Sequence, residues 1–276
     1  MKTKLILIIF TALLFFASNS LLARGALSHN DIDAYSFTFL RLFSGAVVLI
    51  VLLFIKERKI SLDIRKNWLS SFMLFLYAIS FSYAYINLNA GIGALILFAM
   101  VQLTLIAFAL IYKEKISVKK LLGLFIALGG LIYLLYPKQN FDLSLFHAFL
   151  MIISGIAWGF YTILGKNSTN ATLNTTDNFL KSIFYLVVFY LLFVQSIHTD
   201  SKGIILAMIS GGITSALGYT LWYYILPKIS IMTSGIVQLL APPMAIFLSI
   251  FLLGEPLSLT LILSTIVILG GIFITI

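Results

Sequence analysis

The residues able to do covalent or metal chemistry are few and scattered. The chain of 276 residues has no cysteine, three histidines and nine acids, which excludes disulfides and thiolate metal sites. His29, His147 and His198 stand far apart, near the ends of apolar stretches. Being so dispersed, they do not form the constellation of histidine with carboxylates, or the metal set, that acid–base or metal catalysis needs. No enzyme, cofactor or metal is expected. What recurs is side chains that recognise without reacting: the amides Asn19, Gln102 and Gln238, the hydroxyl Ser80, and the rings Tyr77, Tyr83, Trp158, Tyr161, Tyr219 and Trp222. An amide offers up to four hydrogen bonds, and an aromatic face attracts a cation. Together they can hold a zwitterion and release it unchanged. The plainer alternative is that small polar residues pack helices closely and aromatics fill volume or anchor an interface.

These residues must be positioned in lipid. Hydrophobic residues make up 61% of the chain and charged residues 10%, with a mean hydropathy of +1.11. Soluble domains carry roughly 45–50% apolar and about 25% charged residues, so a water-soluble fold is excluded. A spanning helix takes about 20 apolar residues. Ten such stretches are predicted: Leu5–Ala23, Tyr35–Ile55, Trp68–Leu88, Gly91–Tyr112, Leu121–Tyr136, Leu145–Gly165, Phe179–Ile197, Gly203–Leu226, Ile231–Leu253 and Leu259–Ile276. They leave room for short loops only. Continuous runs of this length also exclude the alternating short strands of a membrane barrel. Lys2 and Lys4 ahead of Leu5–Ala17 resemble a signal peptide; the repeat described below requires this segment as a helix.

The stripes fall on particular spans. The third carries Tyr77, Ser80, Tyr83 and Asn87; the sixth Ser154, Trp158, Tyr161 and Thr162; the eighth Ser215, Tyr219 and Trp222; the ninth Ser234, Gln238 and Ser249. Gln102 and Thr104 lie on the fourth, and Ser18, Asn19 and Ser20 on the first. The fifth, seventh and tenth are poorer in polar residues, as peripheral helices would be.

The net charge of +9 could suggest nucleic acid, but it is a topology signal. With the N-terminus inside, fourteen of the eighteen basic residues fall on the cytoplasmic side and three outside; Arg41 lies within the second span. That bias sets both termini inside a plasma (inner) membrane. No nucleic-acid partner is expected. The partners are the lipid bilayer and a small-molecule solute, with a monomer as the simplest unit.

An offset of 141 residues lays the second half on the first. Tyr83 falls on Tyr224, Glu114 on Glu255, Ser117 on Ser258, and Gly129-Gly130 on Gly270-Gly271. An offset of 142 sets Arg24 opposite Lys166 and Phe16 opposite Trp158. Five spans per half would invert the second copy, giving units 1–140 and 141–276. Inverted repeats are a recurring plan of secondary transporters, with the site near the midplane between halves.

The repeated ending, Leu110-Ile111-Tyr112-Lys113-Glu114-Lys115-Ile116-Ser117 and Phe251-Leu252-Leu253-Gly254-Glu255-Pro256-Leu257-Ser258, each followed by its glycine pair, resembles the drug/metabolite transporter superfamily, in its EamA-type branch. The first copy departs from Gly-Glu-Pro with Lys-Glu-Lys. The resemblance implies an all-α membrane protein whose spans 3, 4, 8 and 9, helped by 1 and 6, surround a central cavity. It also implies transport of small organic solutes, similar to bacterial amino-acid and metabolite exporters. Uptake of a nucleoside-like or S-adenosylmethionine-like metabolite is the alternative, and a non-transport membrane protein the remaining one.

Four local features carry expectations. Pro242-Pro243 in the ninth span should strip the carbonyls around Gln238 and Leu239 of partners and form either a static packing kink or a hinge that lines the site. Arg41 should snorkel outward or pair with Asp31 or Asp33, or else attract anions at the outer mouth. Glu114 and Glu255 should cap the helices that follow them, near Ser117 and Ser258. The sequons at Asn167, Asn170 and Asn174 fall in a segment read as a polar cytoplasmic loop. No acid is placed at mid-membrane, so no buried proton site is expected.

Overall fold

The computed structural model describes residues 2–57, 63–88, 90–135, 144–253 and 259–275. Among these the chain is helical, with one isolated bridge, Ile32 to Thr199, and no strand. Six stretches are long and apolar enough to cross a membrane: Thr3–Leu27, Ala34–Lys56, Leu145–Gly165, Ala171–Phe193, Ser201–Lys228 and Ile231–Leu248. The chain is therefore a helical membrane protein. Its outer surface agrees, since Phe10, Val51, Leu103, Phe125, Leu191 and Phe273 are all exposed, while Asn19, Arg41, Gln102, Asn178 and Gln238 are buried. Apolar outside and polar inside is the order that lipid demands.

In chain order the helices are α1 (Lys2–Leu27), α2 (Ala34–Glu57), α3 (Trp68–Ala84), α4 (Ala90–Ile111), α5 (Val118–Leu135), α6 (Leu145–Gly165), α7 (Ala171–Phe193), α8 (Ser201–Ile209), α9 (Ala216–Ile225), α10 (Ile231–Gln238), α11 (Ala241–Leu253) and α12 (Leu259–Thr275). A π-helical turn, Ser210–Ser215, joins α8 to α9. The main packing pairs are α5 with α12, α3 and α4 with α6, α1 with α9 and α11, α2 with α7, and α4 with α10. Glycines permit the closest of these. A Cβ on Gly130 would lie 3.0 Å from Ile268 of α12, and one on Gly271 would lie 2.6 Å from the Gly123 carbonyl of α5.

Three expectations need correction. The segment read as a polar loop from Asn167 to Asn178 is helical from Ala171, eight residues before the predicted start. The Asn170 side chain accepts from Leu173 N at 3.0 Å and caps α7. Thr172, Thr175, Thr176, Asp177 and Asn178 are buried, and Asp177 is held by Lys181 at 2.8 Å and Asn67 at 2.8 Å. A polar run folds as helix when its groups find partners inside. Asn174 itself lies in α7 and donates to Ser168 Oγ.

Glu114 does not cap its own next helix. Its Oε1 accepts from Ile231 N at 2.8 Å and its Oε2 from Met232 N at 3.2 Å, so it caps α10. A carboxylate there meets the partial positive charge of the helix start. Gly254-Glu255-Pro256 and Ser258 lie outside the described residues, as do Arg58, Lys59 and Lys138.

Arg41 neither snorkels nor pairs with Asp31 or Asp33. Asp31 pairs with Lys202 at 2.7 Å. Asp33 accepts from Ser36 N and His198 N. Arg41 is fully buried, and its surroundings define the candidate site.

Candidate functional site

The centre is built from four helices and the π-turn. From α2, Arg41 Nε donates to Ser215 Oγ at 2.9 Å. Its Nη2 donates to Tyr219 OH at 2.5 Å and to Tyr77 OH at 3.2 Å. The guanidinium lies 5.2 Å from the Phe81 ring centroid and 5.5 Å from that of Tyr77, within cation–π range. Tyr219 of α9 donates to Tyr77 of α3 at 3.1 Å. On the other side of Ser215, Asn19 of α1 accepts from Ser210, Thr214 and Ser215 at 2.8, 2.5 and 3.3 Å. The π-turn presents these three hydroxyls together, because its wider winding changes which side chains share a face. Gly211 lets that turn meet α2: a Cβ there would run into the Arg41 carbonyl and Ser44.

Aromatic rings fill the space beside this network. Trp158 of α6 lies 4.7 Å from Tyr77, 4.8 Å from Tyr219, 5.2 Å from Phe16 and 5.3 Å from Tyr161. Its indole N–H donates to Gln238 Oε1 at 2.7 Å, and Gln238 donates back to the Ser234 carbonyl. Trp222 packs edge-on to Phe16 and donates to Thr162 at 3.3 Å. The cavity bounded by Phe16, Ser20, Tyr77, Phe81, Phe98 and Trp158 holds about 10 Å³, the room of one water. Small-molecule sites run to roughly 300–1,000 Å³, so a solute fits here only when these rings separate. Larger hollows lie on the outer surface. One of about 400 Å³, walled by Phe10, Leu14, Pro243 and Met244, is almost wholly apolar, as a surface facing acyl chains would be.

Not every expected residue belongs to this centre. Asn19, Tyr77, Trp158, Tyr161, Tyr219, Trp222 and Gln238 are buried and linked there. Tyr83 is not: it is half-buried and faces Phe189 of α7, with ring centroids 6.3 Å apart. Ser80 is buried but donates to carbonyls of its own helix, Leu76 and Tyr77. Gln102 is buried beside Gly235 of α10, and neither of its amide atoms has a hydrogen-bond partner among the described residues. Pro242 and Pro243 stand in the first turn of α11, after a hydrogen-bonded turn at Leu239 and Leu240 that separates it from α10. Proline lacks an N–H, so neither can return a bond to the carbonyls of Gln238 and Leu239. The helical bonds from positions 242 and 243 are therefore missing beside the Trp158–Gln238 bond.

Four contributors escaped sequence reasoning. Arg41 was assigned to the periphery. Ser210 and Thr214 gave no signal, since a π-turn is not readable from hydropathy. Asn178, placed in a loop, forms a second buried cluster: it accepts from Ser70 at 2.6 Å and donates to Tyr223 OH at 3.2 Å and Tyr161 OH at 3.4 Å.

Comparison with known proteins places this geometry in a family. The sequence pattern of the EamA-like transporter family matches the chain twice, over residues 3–136 and 145–276. An uncharacterized protein of Pseudomonas aeruginosa is 42% identical over 261 residues, covering 95% of this chain and 90% of that one. The uncharacterized transporter YoaV of Bacillus subtilis is 24% identical over 257 residues, covering 88% and 87%. A crystal structure with 17% identity superposes with a TM-score of 0.80 over 99% of this chain and 98% of the other, which is a likeness of fold.

Proposed function

Because the chain belongs to the EamA-like transporter family, we propose that it is a secondary carrier of small polar or amphipathic organic solutes, working by alternating access, with amino acids the favoured cargo and export the favoured direction. The observation that carries this reading is the closed centre. Buried hydrogen-bonding groups and aromatic rings converge there from α1, α2, α3, α6 and α9, and about 10 Å³ is left between them. Such groups are costly in a membrane interior and mark solute pathways.

The packing supports ten spans arranged as two inverted halves, 1–140 and 141–276. Exchanging the halves turns α3 with α6 into α9 with α1, and α4 with α6 into α11 with α1; both members of each pair occur. It maps the α2–α7 and α5–α12 contacts onto themselves. Phe16 touches its own counterpart Trp158, 5.2 Å away, and Tyr77 bonds Tyr219, 142 residues on. Arg24 donates to the Tyr85 carbonyl ending α3, while its counterpart Lys166 donates to the Leu226 carbonyl ending α9. Two like halves meeting at one centre can each take the posture that the other has left. The breaks in the site-forming helices, at the π-turn and at Pro242-Pro243, are where such a change would bend.

In this reading Asn19, Tyr77, Trp158, Tyr161, Tyr219, Trp222 and Gln238 line the opened site, with Gln102 at its edge. A thermal-stability screen of the purified protein against amino acids, nucleosides and cationic metabolites, followed by flux of the hits in vesicles, tests it. Amino acids should stabilise the protein and be carried. Stabilisation and flux confined to nucleosides would support the uptake alternative, and flux of nothing would contradict the carrier reading.

A further inference from the structure

Arg41 poses a charge problem that the scaffold does not solve. Its side chain is fully buried, and an isolated buried cation is costly unless a counter-charge meets it. Among the described residues no carboxylate does. Asp31 is taken by Lys202 and Asp177 by Lys181, and Asp33 by two backbone N–H groups. The partners of Arg41 are the neutral oxygens of Ser215, Tyr77 and Tyr219. Among the described residues its Nη1 has no partner, and neither has Asn19 Nδ2 at the other end of the Arg41–Ser215–Asn19 chain. Both unmet atoms are donors, so what this cluster lacks is an acceptor with negative charge.

The placement is as telling as the charge. Tyr77 and Phe81, the two rings flanking the guanidinium, also wall the central cavity. Movement of those rings would put the cation in contact with whatever occupies it. The cation also has no counterpart in the other half: at offsets of 141 and 142 stand Ser182 and Ile183. A residue required by the repeated scaffold would be expected twice.

We infer that Arg41 reads the charge of the cargo: the solute carries a carboxylate or an equivalent singly negative group, which accepts from Arg41 Nη1 while the aromatic rings hold its apolar body. This rests on the carrier reading and sharpens it, since a cargo with no anionic group would leave the cation unmet.

Two matched series test it by thermal stabilisation of the purified full-length protein. One is leucine, 4-methylpentanoate, isopentylamine and leucinamide; the other is phenylalanine, 3-phenylpropanoate, phenethylamine and phenylalaninamide. The carboxylate-bearing members should stabilise the wild-type protein. The amines and amides should bind at least about tenfold more weakly, the loss of one charge-assisted hydrogen bond. Arg41→Gln should erase that ranking, and Arg41→Lys should retain it in weakened form. The wild-type ranking stands as a test even if a variant fails to fold. Equal stabilisation by amines, amides and carboxylates would overturn the inference and leave the carrier reading in place. So would variants that lower the stability of the free protein but keep the ranking. Flux of amines alone in vesicles would likewise overturn the inference only, as would silence from both series; the carrier reading falls as well only if nucleosides and cationic metabolites also give no flux.

Discussion

At the scale of single residues, the centre is held by hydroxyl groups that serve a buried cation. Tyr219 OH is the clearest, since it accepts from Arg41 and donates to Tyr77. Removing it leaves a guanidinium donor unmet in a low-dielectric interior, where a bond to a charged group contributes about 1.5–3 kcal/mol. Tyr219→Phe should therefore lower the thermal-unfolding midpoint in detergent. Tyr83→Phe, on a half-buried ring facing α7, should leave it unchanged. Equal midpoints for the two variants would contradict this picture of the network. The residue types of the site were legible because amides and aromatics stand out in apolar spans: seven of the ten expected binding residues meet at the centre. Arg41 was not legible. On α2, apolar nearly all round, no periodicity says which face turns inward, so a lone cation reads equally well as snorkelling.

At the scale of elements, the informative features are departures from a straight α-helix. The π-turn brings three hydroxyls onto Asn19, and a turn at Leu239 and Leu240 separates α10 from α11 just before Pro242-Pro243. If that break bends during transport, replacing both prolines by alanine should let α10 and α11 join and slow transport while the protein still inserts and folds. Unaltered initial rates in vesicles at equal protein would show the break to be a static packing feature. The proline break was readable from sequence, because proline acts through its own missing N–H. The start of α7 was not, since whether Thr176 and Asn178 form loop or helix depends on partners contributed by α2, α3, α6 and α9. The Glu114 cap shows the same limit: the helix it serves is 117 residues away.

At the scale of the whole molecule, a strongly apolar composition and a one-sided distribution of lysine and arginine already specified a membrane bundle. The packing of the helices adds the buried polar and aromatic centre. With no native cysteine, orientation can be tested directly. A membrane-impermeant maleimide should label Lys202→Cys on intact cells, and Lys115→Cys only after permeabilisation; the reverse pattern would invert the topology.

If a solute crosses by alternating access, the aromatic and amide cluster must serve as both its gate and its binding site. The most direct measurement is counterflow: vesicles holding the purified protein are loaded with an unlabelled amino acid that stabilises it, and uptake of the labelled form is followed at a trace outside concentration. A carrier predicts a transient accumulation of label above equilibrium, abolished by Trp158→Ala. Label that only rises to equilibrium, or an overshoot that survives loss of Trp158, would contradict the account.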